Sequence, residues 1–482
     1  MNIDYLNEIS KINVLVFGDF MVDEYLVGNV NRISPEAPVP VIEVNKESMK
    51  LGGAGNVINN IKSLGANVRV IGAVGKDEAG KFILDEFSSK GVDTKYFKQY
   101  PDCKTIIKTR VVSRGQQFLR LDAEEKKELP EKYMEYLEDK IESILSGITS
   151  VVISDYAKGA VNERIAQLLI TNANKLDIPV VIDPKGKDYS KYCGATLCTP
   201  NLKELSDVAN KKIKNENDVL TEGYKLIHKF GIKYLALTRS EDGISLIDEK
   251  KNKSDYKAVA KEVIDVSGAG DTVVSTMAIL LSMKVNMDDI CKIANIAAGI
   301  VVSKFGTATV SLNELISNVS KDSDYKLQSV KTLKYIIKDL KEKGKKVVFT
   351  NGCFDLIHAG HISSFKEAKK FGDVLIVAVN SDASVKSNKG DLRPIINEKD
   401  RIEMVSSLEM VDYVVMLEDK NPSKLIKELQ PDISVKGEDW KDKEVPEKKI
   451  LESYGGEIRF IKLNPNHSTT SIIEKILKVY EK

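Results

Sequence analysis

Cysteine and histidine are scarce in this sequence, with five cysteines and four histidines among its 482 residues. The cysteines are scattered and odd in number, and none forms a Cys-x-x-Cys pair of the kind that binds zinc. Proteins that depend on disulfides usually pair many cysteines in an oxidising compartment. The sequence therefore favours a reduced, cytoplasmic protein.

Long apolar runs and an excess of one charge are also missing. No apolar run approaches the roughly 20 residues that a helix needs to span a bilayer. The first ten residues are polar and acidic, unlike the apolar core of a signal peptide. Basic and acidic side chains number 72 and 71, which gives a net charge of +1. We therefore expect neither a membrane nor nucleic acid as a partner.

The pattern of the chain predicts two α/β domains, because the length exceeds that of one ordinary core. Apolar strand-like runs alternate with helix-like segments, and polar residues follow the strands, as in doubly wound sheets. Residues 32–41 and 105–121 indicate an edge strand and a hairpin of a small β lid. We predict domains at residues 1–318 and 333–482, with a polar linker at 319–332.

The segment from Thr350 to His361 follows an apolar strand and precedes a helix pattern. With the next apolar strand it forms a βαβ unit, and ligands bind at the loop of such a unit. His358 and His361 can point the same way, beside the unpaired N–H groups of the helix start, which predicts a phosphate site. The alternative is a pair of histidines that only cap the helix.

A glycine turn, Gly268-Ala269-Gly270-Asp271, precedes another helix pattern. Its successive N–H groups and the positive end of the helix would form a cavity for an anion. Asp271 could accept the proton of a hydroxyl that attacks a phosphate, which is what phosphoryl transfer requires. The alternative for Asp271 is a plain helix N-cap.

Three weaker patterns have two interpretations each. The glycines of Gly52–Asn56 precede a helix and could approach a polar ligand or form a tight turn. The cations Lys386, Lys389 and Arg393 follow a strand in a short polar loop, where they could screen a triphosphate or face solvent. Hydroxyl side chains at residues 468–471 precede a helix pattern. They could bind a phosphate or cap the N-terminus of that helix.

The two glycine segments, Gly52–Asn56 and Gly268–Asp271, resemble those of the ribokinase family of sugar kinases over roughly residues 1–318. The resemblance implies that Asp271 is the catalytic base and that Glu204 lies near Mg²⁺. The family usually has Asp-Thr-x where this chain has Asp265-Val266-Ser267, which leaves the roles of residues 266 and 267 open. The other implied residues are Gly268, Ala269 and Gly270 for the anion hole; Asp19, Asp23, Gly53 and Asn56 for the sugar; and Asn201, Glu204, Ser240 and Gly243 for the nucleotide.

The His-x-Gly-His pattern resembles that of nucleotidyltransferases with a Rossmann-like fold. The resemblance implies that His358 and His361 stabilise the transition state and that Lys386 holds phosphates. For the hydroxyls at residues 468–471, the resemblance favours phosphate binding over helix capping. Residues 435–440 are the candidate loop that binds the adenine. The implied nucleotide-binding residues are Thr350, Asn351, Phe354, Arg393, Ser468, Thr469 and Thr470.

The order of the two halves, and the segments Arg32–Pro40 and Asn380–Ser384, resemble the bifunctional heptose kinases and adenylyltransferases of ADP-heptose synthesis. This implies heptose phosphates and ATP as ligands, Mg²⁺ as cofactor, and a separate phosphatase acting between the two reactions. We expect no tunnel between the sites, because the intermediate must leave for the phosphatase. We also expect a homodimer.

Other functions remain open from the sequence. The first half alone could phosphorylate ribose, fructose or a nucleoside, and the second half could use CTP with another phosphate acceptor. A non-catalytic sugar-phosphate sensor is a further alternative. Retention of Asp271 and both histidines argues against a sensor, because such proteins usually lose the base or the anion hole.

Overall fold

A computed structural model describes residues 3–259, 263–304, 306–322, 326–462 and 469–480. The chain divides into two compact units. The first comprises Glu8–Ser311, and the second comprises Met1–Asn7 with Leu312–Lys482. A 3-10 helix, Asp4–Lys11, precedes the first strand.

The first unit contains a large sheet whose central strands are parallel and buried. Its apolar runs, such as Val14–Phe17 and Val151–Ile153, are inaccessible to solvent because helices cover both faces of such sheets. The sheet order is β13-β12-β11-β10-β9-β8-β1-β4-β5, with antiparallel pairing at β11–β12 and β12–β13. The strands of the unit are β1 (Asn13–Gly18), β2 (Phe20–Ile33), β3 (Pro40–Gly53), β4 (Asn67–Gly75), β5 (Asp93–Tyr100), β6 (Ile106–Ser113), β7 (Gln116–Ala123), β8 (Ser150–Ser154), β9 (Val180–Asp183), β10 (Leu197–Cys198), β11 (Tyr234–Thr238), β12 (Ile244–Asp248) and β13 (Lys253–Tyr256).

Several helices of this unit begin at a side chain that accepts a backbone N–H three residues later, as Asp77, Asn162, Asn215 and Asn286 do. The helices over residues 131–145, 163–175, 202–209 and 216–230 pack their apolar faces on the sheet in one core cluster. The helices are α1 (Ala54–Ser63), α2 (Glu78–Ser89), α3 (Glu131–Leu145), α4 (Glu163–Lys175), α5 (Leu202–Ala209), α6 (Glu216–Phe230), α7 (Ala269–Ser282) and α8 (Met287–Val302), with 3-10 turns at Ser190–Tyr192 and Ser240–Asp242.

A smaller sheet with the order β3-β2-β6-β7 forms a lid. The predicted hairpin is confirmed by β6 and β7, which pair antiparallel around a turn where Arg114 and Gly115 have φ of 51° and 77°. Left-handed conformations at both central residues match the twist of a two-residue hairpin. The predicted edge strand is β3, and the residues after Ile33 connect it to β2.

The second unit contains a parallel sheet with the order β16-β15-β14-β17-β18. Strand order reverses beside β14, and ligands of such sheets bind at the carboxyl ends of the strands that flank the reversal. The strands are β14 (Val347–Gly352), β15 (Val374–Asn380), β16 (Tyr413–Leu417), β17 (Ile433–Gly437) and β18 (Glu457–Ile461). The helices are α9 (Leu312–Asp322), α10 (Val330–Glu342), α11 (Ala359–Lys369), α12 (Asp382–Lys389), α13 (Glu398–Ser406), α14 (Ser423–Leu429), α15 (Lys448–Ser453) and α16 (Thr469–Tyr480), with a 3-10 turn at Glu438–Trp440.

Some local predictions in this unit differ from the structure. Lys386 and Lys389 lie on α12 and not in a loop, because Ser381 accepts the N–H of Ser384 and begins a short polar helix. Helices α9 and α10 extend into the predicted linker 319–332. Among the described residues, no helix combines the length and the apolarity that crossing a membrane requires.

Candidate active sites

Asp271 occupies the centre of the first site, at the N-terminus of α7. Its side chain is buried and held from two sides. The Nδ2 of Asn56, on α1, donates to one carboxylate oxygen at 2.7 Å, and the hydroxyl of Tyr156, just after β8, donates to the other at 2.8 Å. Asp271 is therefore a fixed acceptor at the carboxyl edge of the sheet, rather than a side chain that caps its own helix.

The glycine turn before Asp271 keeps the helix N-terminus open. Gly268 is the N-cap residue of α7 with φ 81°, and a Cβ there would lie 2.8 Å from Nδ2 of Asn56. A Cβ on Gly270 would meet nothing within 4 Å, so an anion can approach this turn. The amide of Ala269 bonds to the carbonyl of Val266 at 3.3 Å. The N–H of Gly270 has no partner among the described residues and is the best-placed donor of the predicted anion hole.

Burial, with a smaller contribution from the charge of Asp23, raises the pKa of Asp271 to about 6 against the opposing effect of the hydrogen bonds from Asn56 and Tyr156. Burial and the Asp271 charge together raise the pKa of Tyr156 well above its ordinary value, so the phenol stays a donor. A carboxylate that ionises near pH 6 suits a general base at neutral pH.

The two predicted sugar-binding aspartates differ in their surroundings. Asp19, at the end of β1, accepts the backbone N–H groups of Tyr156, Lys158 and Ala160 at 2.8–3.1 Å. It therefore fixes the loop that carries Tyr156, and its contact with a sugar stays a prediction. Asp23, on β2, pairs with Arg110 of β6.

The predicted nucleotide-binding residues follow strands farther along the same sheet. Asn201 and Glu204 form a capping box at the start of α5, and Glu204 also pairs with Lys185 at 2.6 Å. Ser240 begins the 3-10 turn after β11 and Gly243 directly follows that turn, both with positive φ. A Cβ on Gly243 would lie 2.0 Å from the carbonyl oxygen of Tyr256, so this turn requires glycine.

Asp183, at the end of β9, is a site residue that the sequence prediction missed. Burial raises its pKa well above its ordinary value, and the charges of Asp271 and Glu204 add to the rise. Carboxylates that repel each other in this way suit a divalent cation, and Mg²⁺ often takes one or two carboxylates and completes its shell with phosphates. The residues therefore fit Mg²⁺, although the described residues include no cluster of three protein ligands. The signal was present in the sequence, because Asp183 follows a strand.

In the second unit, His358 and His361 stack at the start of α11 with ring centroids 3.9 Å apart. Phe354 packs edge-on against His361 at 5.4 Å. Burial and the neighbouring His358 lower the pKa of His361 to about 4, so His361 is neutral at pH 7. The predicted pair of histidines therefore forms one platform, in which a neutral His361 can donate a hydrogen bond without carrying a charge.

The loop between β14 and α11 is held by a buried arginine that the sequence prediction did not assign. Arg401 is fully buried, and its guanidinium donates to the carbonyls of Cys353 and Ile396 and to the carboxylate of Asp382. Its contacts lie 48, 5 and 19 residues away in the chain, so no local pattern could reveal them. The arginine joins the histidine loop to the start of α12.

Arg393 pairs with buried Asp355, which also accepts the N–H groups of Ile395 and Ile396. The ion pair with Asp355 therefore holds the guanidinium of Arg393 in one orientation. Lys386 is exposed on α12. Lys386, Lys389 and Arg393 were predicted to screen a triphosphate together. The structure shows an ion-pair partner, Asp355, that fixes Arg393.

The remaining predicted nucleotide residues lie around the end of β14. Thr350 donates to the carbonyl of Val435 at 3.1 Å, and Asn351 accepts from Lys436, whose ammonium lies 5.5 Å from the Trp440 ring. These contacts join β14 to the predicted adenine loop. Ser468 lies outside the described residues. Helix α16 begins at Thr469, and the side chains of Thr469 and Thr470 are also outside the described part.

Comparisons with known proteins match each of the two units to a separate family model. Residues 11–314 match the pfkB family carbohydrate kinase model, and residues 349–475 match the cytidylyltransferase-like model. The bifunctional protein HldE of Geobacter metallireducens is 43% identical over 472 residues, covering 97% of this chain and 96% of the relative. The protein of that name from Vibrio cholerae is 43% identical over 473 residues, covering 98% of both.

Solved structures share the fold of the first unit. Arabidopsis thaliana ribokinase, complexed with ribose and ATP, has a TM-score of 0.52 at 18% identity, covering 64% of this chain and 98% of that one. Escherichia coli phosphofructokinase-2 in complex with fructose-6-phosphate has a TM-score of 0.53 at 20% identity, with the same coverage. The predicted doubly wound kinase fold is confirmed.

The fold and the matches define a carbohydrate kinase joined to a nucleotidyltransferase in one chain. The kinase class rests on the match over residues 11–314, and the transferase class on the match over residues 349–475. The chain belongs to the bifunctional protein HldE family. The predicted resemblance to a family with two activities is therefore confirmed.

Proposed function

We propose that this chain catalyses two steps of ADP-heptose synthesis. In the first, ATP phosphorylates heptose 7-phosphate at C1 to give the 1,7-bisphosphate. In the second, ATP adenylylates heptose 1-phosphate to give ADP-heptose and pyrophosphate. One observation carries the proposal: a buried carboxylate beside an open helix N-terminus, and a stacked histidine pair at another, lie on a single chain. The family membership supports the pairing.

In the kinase step, Asp271 accepts the proton of the C1 hydroxyl as that oxygen attacks the γ-phosphorus of ATP. The bond from this phosphorus to the oxygen of ADP breaks, and ADP leaves. The N–H of Gly270 and the positive end of α7 stabilise the charge on the transferred phosphoryl group. Mg²⁺, held by Asp183 and Glu204, would neutralise phosphate charge when bound. No protein nucleophile is needed, because positioning and charge stabilisation suffice.

In the transferase step, an oxygen of the sugar 1-phosphate attacks the α-phosphorus of ATP, and pyrophosphate leaves. The neutral ring of His361 donates a hydrogen bond to the α-phosphate while that phosphate is attacked. The ring of His358 is stacked on the ring of His361. Arg393 and Lys386 face the departing pyrophosphate. Thr350 and Asn351 shape the nucleotide pocket, and the hydroxyls of residues 468–470 are proposed to seat phosphates.

The proposal includes partners. A separate phosphatase must remove the 7-phosphate between the two steps, so the bisphosphate is released to solution. We propose a cytoplasmic homodimer. The face of the lid that points away from Asp23 carries three side chains that are about half exposed, namely Met49, Leu119 and Leu121. A second copy of the chain would cover these apolar side chains. Sedimentation of the purified chain tests the dimer.

The test of function supplies the purified chain with heptose 7-phosphate and ATP and follows ADP release. Addition of a bisphosphate phosphatase should then yield ADP-heptose and pyrophosphate. CTP in place of ATP in the second step tests the alternative nucleotide. Absence of ADP-heptose with both enzymes present, or turnover only of ribose, fructose or a nucleoside, would contradict the proposal.

A further inference from the structure

The lid carries basic side chains in register on one face. Residues paired across strands, and residues two apart along one strand, point to the same side of a sheet. Asp23 on β2 is the register partner of Lys50 on β3 and of Lys108 on β6, and Lys108 is the partner of Asp122 on β7. Two residues farther along, the row is Ser48, Tyr25, Arg110 and Arg120. We call these two rows the basic rows of the lid.

The basic rows face the kinase site. The ammonium of Lys108 lies 5.8 Å from the ring centroid of Tyr156, whose hydroxyl binds Asp271. Asp23, between Lys50 and Lys108, is near enough for its charge to raise the pKa of Asp271. Tyr156 therefore lies between Asp271 and Lys108, and a sugar whose hydroxyl reaches Asp271 can extend along Tyr156 toward Lys108.

The cations of these rows are not equally neutralised. Arg110 pairs with Asp23, and Arg120 pairs with Asp122. Lys108 and Lys50 have no ion pair among the described residues. Burial and the nearby charge of Lys158 lower the pKa of Lys108. The charges of Asp23 and Asp122 partly compensate the ammonium, and an anionic ligand in direct contact with it would stabilise it further.

We propose that Lys108, assisted by Arg110 and Lys50, binds the phosphate that the sugar substrate already carries at the end remote from the attacked hydroxyl. This inference rests on the proposed kinase function and names the specificity-determining residues of the same site. A phosphate dianion placed between an ammonium and a guanidinium accepts charge-assisted hydrogen bonds, which are stronger than those of a neutral sugar hydroxyl. Arg110 is already oriented by Asp23, so it loses little freedom on binding.

The test compares two sugars in three variants. Wild type, Lys108→Gln and Lys108→Arg are assayed for kcat/KM with heptose 7-phosphate and with heptose that lacks the phosphate. We expect Lys108→Gln to lose about 10- to 100-fold on the phosphorylated sugar, the range of one charge-assisted hydrogen bond, and little on the plain sugar. Lys108→Arg should keep most of the preference. Arg114→Gln removes the same charge from the hairpin turn of the lid and should change neither value.

Two outcomes overturn the subsite directly. An equal loss on both sugars in Lys108→Gln would mean that Lys108 supports the fold or the base, and no loss on either would mean that the phosphate binds elsewhere. Retained turnover of the plain sugar reports that the kinase unit of the variant is folded, because adenylyl transfer belongs to the other unit.

A panel of other sugars, each with and without a phosphate, separates the two proposals. If wild type phosphorylates a different sugar phosphate, the proposed function fails and the Lys108 ratio is measured on that substrate. If wild type accepts only sugars without a phosphate, or no sugar at all, the subsite is wrong.

Discussion

The hydroxyl of Tyr156 tunes the proposed base, and its removal gives a pH-dependent phenotype. Tyr156→Phe deletes the donor that lies 2.8 Å from Asp271 and keeps the ring on which Lys108 rests. Because the hydrogen bond favours the ionised carboxylate, its loss raises the pKa of Asp271. The kinase should then require a higher pH.

The size of the shift follows from the energy of the bond. A hydrogen bond to a charged group contributes about 1.5–3 kcal/mol, and one pKa unit corresponds to about 1.4 kcal/mol. The pKa of Asp271, about 6 in the wild type, should rise to roughly 7–8 in the variant. Since the base acts when ionised, activity at pH 7 should fall roughly 2- to 10-fold and recover near pH 9.

The assay is kcat/KM of the kinase step between pH 5 and pH 9.5, with adenylyl transfer measured on the same samples. Transfer should keep its wild-type pH profile, because Tyr156 belongs to the other unit. Tyr136→Phe removes a hydroxyl elsewhere in the first unit and is the matched control. If the acidic limb of the kinase profile did not move, the assignment of Asp271 as the base, or of Tyr156 as its donor, would be refuted.

Other predictions concern the separate sites. Asp271→Ala should abolish phosphorylation and leave adenylyl transfer intact. His361→Ala should abolish adenylyl transfer and leave phosphorylation intact. If either folded variant lost both reactions, the two sites would not be independent. Arg401→Ala removes a buried guanidinium that joins three segments, so denaturant unfolding of the second unit should show a loss of about 3–5 kcal/mol. Lys399→Ala, exposed on the same helix, should cost little, and equal losses would contradict the role of Arg401. Glu204→Gln should raise the Mg²⁺ concentration that half-saturates the kinase, and an unchanged Mg²⁺ titration would remove Glu204 from the metal site.

Features set by local periodicity and turn chemistry were predictable from the sequence. The hairpin predicted over residues 105–121 is formed by β6 and β7, with Arg114 and Gly115 at its turn. Parallel strands place their carboxyl ends at one edge, so the gathering of polar residues there followed from the order of elements. Helix α12 was missed because its residues are polar and lack an apolar period.

Contacts between distant residues could not be predicted in the same way. Tyr156 and Asp271 are separated by 115 residues, and Asn56 and Asp271 by 215. The support that Asp19 gives to the Tyr156 loop depends on backbone N–H groups, which every residue except proline carries, so no side-chain pattern reveals it. These roles appear only when the chain is folded.

In the proposed kinase site, the lid supplies the residues that bind the sugar phosphate, and elements around the large sheet supply the proton acceptor and its hydrogen-bond donor. Lys50, Lys108 and Arg110 lie on β3 and β6, whereas Asp271 and Tyr156 lie on α7 and after β8. Exchange of the lid strands for those of a kinase with a different acceptor would thus re-target the enzyme to a new carbohydrate. The proton acceptor would need no redesign, provided that a carboxylate stays at the position of Asp23.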